Sequence, residues 1–72
     1  MEEEYQGYRI TANSRERADG MWLPVAELEV HHGGAVTTKP PVVAVPQETR
    51  RTKQDADVAA IAMAKKWIDN RG

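Results

Sequence analysis

From Tyr5 to Ala12 apolar and polar positions alternate. Tyr8, Ile10 and Ala12 fall on one side and Gly7, Arg9 and Thr11 on the other, the pattern of a half-buried strand. Residues 13–20 are polar and close on Asp19-Gly20, a pair suited to the positive φ of a reversal. A second strand therefore returns antiparallel over Met21–Val30, leaving Arg15 and Arg17 on a mobile loop tip. The later half of this strand alternates cleanly, with Trp22, Ala26, Leu28 and Val30 opposite Glu27 and Glu29. The earlier half does not, because Met21, Leu23 and Val25 share the parity of those glutamates, and Pro24 requires a bulge or an edge. His31-His32-Gly33-Gly34 supplies the next turn. Ala35–Thr38 begins a third strand that Pro40-Pro41 interrupts, and Pro46 closes the run Val42–Val45. Such prolines guard a sheet edge against foreign strands.

Over residues 52–70 the period changes from two to 3.6. Thr52 is placed to cap a helix at the N–H near Asp55. Asp55 and Asp57 suit the positive end of its dipole, and Lys65, Lys66 and Arg71 the other, with Gly72 following. Ala56, Ala60, Met63, Ala64, Trp67 and Ile68 form one stripe with Ile61 at its margin, which predicts the core face. On that reading Trp67→Ala costs about 3–5 kcal/mol. The expected fold is α+β: an antiparallel sheet of about three strands, with one C-terminal amphipathic helix packed on one face. Residues 1–4 are expected to be disordered, 5–46 to form the sheet and 52–70 the helix of a single domain.

A chain of 72 residues buries only about 60–65% of its unfolded surface, so its stability is small. No cysteine is available to staple it, which leaves oligomerisation as an aid and fits a reducing cytosol. The acidic start Met1-Glu2-Glu3-Glu4 is unlike a signal peptide, and no apolar run approaches the roughly 20 residues that span a bilayer. Ten Lys and Arg against eleven Asp and Glu leave a net charge of −1, a poor field for attracting phosphate backbones. The adjacent pair His31-His32 diverges on an extended strand and lacks a third ligand, so no metal site is expected. Ser14, the only serine, has no nucleophile context, and no glycine-rich phosphate loop occurs. Neither catalysis, a cofactor nor a small-molecule substrate is therefore expected.

One helix covers one sheet face and leaves the other open. That face is expected to carry Tyr5, Arg9 and Thr11 beside Met21, Leu23 and Val25. Burying aliphatic side chains is worth roughly 1.5–3 kcal/mol each, so an exposed trio invites a partner. The partner is a second copy, through the sheet face or edge, or another protein. The alternative is that the N-terminal acidic segment or the proline-rich segment folds over the patch. A nucleic-acid reading would use Tyr5 to stack and Arg9, Arg15 and Arg17 to meet phosphates, but aromatics are few here.

The segments Gly7-Tyr8-Arg9-Ile10, Gly20-Met21-Trp22, Thr52 with Ala56, and Ala64-Lys65-Lys66-Trp67-Ile68-Asp69 resemble small uncharacterised bacterial proteins with a β-β-β-α plan. The likeness spans most of the chain and implies architecture alone. The course from Val45-Pro46 through Thr52 into the helix also resembles HicB-type antitoxins. That likeness implies a regulator of the nucleic-acid-binding kind, although the glycine-rich stretch of that family is absent here.

Overall fold

A computed structural model describes residues 1–71, and the side chains of all of these but 31, 32, 40, 46 and 71. Among them the chain forms six strands and one α-helix: β1 (Glu2–Tyr5), β2 (Tyr8–Ala12), β3 (Arg15–Glu16), β4 (Trp22–Leu23), β5 (Val25–His32), β6 (Ala35–Val43) and α1 (Lys53–Arg71). A 3₁₀ turn, Pro46–Glu48, links β6 towards the helix. The main sheet has the order β1-β2-β5-β6, antiparallel throughout, and β3 and β4 pair as a separate two-stranded arm.

The expected plan of an antiparallel sheet and one C-terminal helix is present, but with more strands than about three. Residues 1–4, expected to be disordered, belong to β1 except for Met1. The reason lies in Gln6 and Gly7, whose φ values of 48° and 83° mark a type I′ reversal, so what reads as one strand from Tyr5 is a tight hairpin. The second expected strand is likewise two. Pro24 separates β4 from β5, and the eight-residue loop carrying Arg15 and Arg17 folds back as the β3–β4 arm. The third is a single strand: between the pairs Leu28–Lys39 and Ala26–Val42, β6 advances three residues while β5 advances two. Pro40 and Pro41 occupy that bulge, where ladder hydrogen bonds are already disrupted.

The core lies between α1 and the sheet. Ile10, Ala12, Ala26 and Leu28 meet Ala60, Ile61, Ala64 and Ile68, with Tyr5, Tyr8, Val42 and Trp67 packed partly buried around them. Ala56 is buried as expected, and Ile61, expected at the margin of the stripe, is buried too, so the helix is turned slightly towards Ile61. Met63 and Trp67 are only half-buried. Trp67 stands edge-on to Tyr8, ring centroids 6.4 Å apart at 89°. Its peripheral position makes about 3–5 kcal/mol an overestimate for Trp67→Ala, since that range belongs to fully buried aromatics. The cap is as expected, with the Asp55 N–H donating to Thr52 Oγ1 at 3.1 Å.

Candidate interaction surface

The six residues expected on the open face do not come together. The Gln6-Gly7 reversal places Tyr5 opposite Tyr8, on the helix side of the sheet. There its hydroxyl donates to Asp69 Oδ1 at 2.7 Å, and the Lys65 ammonium lies 5.5 Å from its ring centre. Val25 is buried at the root of the arm, its carbonyl accepting from the Asn13 N–H. Met21 and Leu23 are half-buried in and beside the arm. Only Arg9 and Thr11 lie on the outer face. Parity counted through Pro24 misplaces the apolar trio, because β4 belongs to a different sheet.

By register the outer face carries Glu4, Arg9, Glu29 and Thr38 in one cross-strand row and Glu2, Thr11 and Glu27 in the next. Arg9 lies 3.9 Å from Glu4, and the other carboxylates make the face acidic. Its centre is polar and solvated, and the same parity on β6 carries Val36 and Val43, each more than half exposed.

Met1, Val36, Val43, Val45 and Val58 are the exposed large hydrophobics among the described residues, and Val43 and Val45 stand together beside a recess. A groove of about 480 Å³ runs between α1 and the end of β6. Val43, Ala44, Val45 and Pro24 form one wall, Ala59, Ala62 and Met63 the other. Glu48 and Arg50 join the first wall and Lys66 the second. Val43 and Val45 stand 54% and 56% exposed, too open for residues whose role is to fill a core. Arg50 is held on its own side, donating to the Glu48 carbonyl at 2.6 Å with its guanidinium 3.7 Å from the Glu48 carboxylate. Lys66 makes no ion pair among the described residues. The volume is that of a ligand site, but the groove is broad and lacks convergent polar groups. No sequence period reveals it, because its walls come from separate segments of the chain that only tertiary packing joins.

A match to a family model covers the whole length, residues 1–72; the family is described as Domain of unknown function (DUF6566). The chain belongs to the DUF6566 family. No curated protein and no solved structure matches it. The family description assigns no chemistry, so the remaining polar cluster of this DUF6566 domain is read from its geometry. Asp57, 4% exposed, accepts from the Ser14 N–H at 3.2 Å and the Lys53 ammonium at 2.8 Å. Burial alone pushes its carboxyl up, but the Lys53 and Ser14 contacts outweigh it and hold the carboxyl below its ordinary 3.8. Ser14 Oγ is buried close to that carboxylate without a hydrogen bond of acceptable geometry. Nothing here can serve as an accessible nucleophile, and the cluster is a tie between the arm and the helix N-terminus. Sequence reading sees Asp57 only as a dipole residue; its burial depends on where the loop lands. No group of three potential metal-binding side chains occurs among the described residues, and the side chains of His31 and His32 lie outside them. Among the described residues no helix is long and apolar enough to cross a membrane.

Proposed function

We propose that the protein is a small non-catalytic interaction module that self-associates along the side where the unpaired edge of β6 meets the groove. The observation that carries this reading is the placement of exposed apolar side chains. Val43 and Val45 stand in solvent around a recess of about 480 Å³ at the β6 edge, whereas the centre of the outer sheet face is polar and acidic. A monomer of this size gains little by leaving valines in water, and a partner that covers them recovers burial at about 25 cal/mol per Å². The lack of cysteine suits a reducing cytosol, where we place it.

The nucleic-acid or antitoxin-like alternative gains no support from the charge distribution, since Glu2, Glu4, Glu27 and Glu29 would repel phosphates from the open face. Light scattering from micromolar to near-millimolar protein tests the proposal: mass should rise with concentration towards twice 8.0 kDa. A constant monomer mass, together with a mobility shift on nucleic acid at low salt, would replace it with the alternative.

A further inference from the structure

We infer that the groove is one half of a two-fold symmetric dimer interface, in which a second copy seats its own Val43 and Val45 against the recess and its Glu48 meets Lys66. This rests on the self-association proposed above and adds the surface and the geometry. A two-fold interface uses the same patch on both subunits, so the patch must contain both the projections and the hollows. The groove does. Val43 and Val45 stand exposed on the wall at the end of β6, and the opposite wall carries the small side chains of Ala59 and Ala62.

The charges obey the same rule. Glu48 belongs to one wall and Lys66 to the other, and both are exposed. Lys66 has no ion partner among the described residues, and the Glu48 carboxylate lies 3.7 Å from the Arg50 guanidinium on its own wall. Rotating a second copy by 180° about the groove brings each wall against its opposite, so two Lys66–Glu48 pairs form across the interface. A patch bearing charges of one sign would repel its copy; this one carries both signs, with Glu48 and Arg50 on one wall and Lys66 on the other, so that Glu48 is placed to bridge its own Arg50 and the Lys66 of the second copy.

The decisive experiment measures dimer affinity by sedimentation equilibrium for K66E, E48K and their equimolar mixture, with melting curves to verify that each variant is folded. In K66E both contacts become Glu–Glu, and in E48K both become Lys–Lys. Each variant alone should weaken the dimer about tenfold or more. In the mixed dimer both contacts pair opposite charges again, so the equimolar mixture should regain wild-type affinity. Val45→Asp should weaken the dimer without rescue by either partner. If the wild type dimerises but K66E and E48K leave its affinity unchanged, or their mixture stays as weak as each alone, the groove geometry is wrong while self-association stands. A wild type that remains monomeric at every concentration overturns both.

Discussion

The sheet–helix layer and the β3–β4 arm are built from the same short chain by different forces. In the layer, Ile10, Leu28, Ala60, Ala64 and Ile68 are buried almost completely, and the side chains that fill the space carry no polar groups. In the arm, Met21, Trp22 and Leu23 are half-exposed, and order comes from directed contacts. Trp22 and Arg50 exchange N–H to carbonyl bonds at 2.7 and 2.9 Å, and the Met21 N–H donates to Asp19 Oδ1 at 3.0 Å. Asp57 holds Ser14 at the arm's base. Apolar burial is tolerant of direction and large in sum, whereas each tie in the arm is specific and small. The layer therefore sets global stability and the arm sets local order.

The most damaging change should fall in the layer. Leu28→Ala is expected to cost about 2–5 kcal/mol in denaturant unfolding, lowering the melting temperature of the whole domain. Asp57→Ala, which strands the Ser14 N–H, should cost about 1–3 kcal/mol. Its signature is faster amide exchange over residues 13–23 with the central strands still protected. Equal acceleration across the layer would mean that the arm is not a separate unit.

Acid should act on the same tie. Because the folded Asp57 carboxyl titrates below its ordinary 3.8, its contribution is present above that value and fades as pH falls through the lower folded value. The stability difference between wild type and Asp57→Asn should accordingly shrink on acidification below 3.8. A difference that stays constant there would place the effect in packing instead of charge. Smallest of all, Arg9→Ala on the outer face should change stability by less than about 1 kcal/mol, since its 3.9 Å pair with Glu4 is exposed to solvent and salt.

What the sequence reveals follows the same division. Periodic burial is legible: the alternation over Tyr8–Ala12 and Ala26–Val30 and the capped helix from Thr52 all lead to the observed layer. The first strand is not legible, because Glu2-Glu3-Glu4 has neither apolar alternation nor strand propensity. Glu3 is nonetheless held by Lys65 from the helix. The one available signal is the Gln6-Gly7 pair between two tyrosines. Missing that reversal carries Tyr5 to the wrong face, since a shift in register inverts every side chain beyond it. The arm and the groove depend on which distant segments meet, and no local period records that.

In the main sheet, every strand pairs with a neighbour in its order of appearance: β1 with β2, β2 with β5 across the arm, and β5 with β6. The outer two of these connections are two-residue reversals, at Gln6-Gly7 and at Gly33-Gly34, where all four residues have positive φ. Hairpins of this kind close in roughly 1–10 µs, so the ladder can zip outward from its turns with little search. The long closure is the return of α1, which brings Ile68 and Ala64 onto Ile10 from more than 50 positions away. Refolding should therefore be limited by helix docking, with the meander forming ahead of it and α1 acting as the last piece to lock.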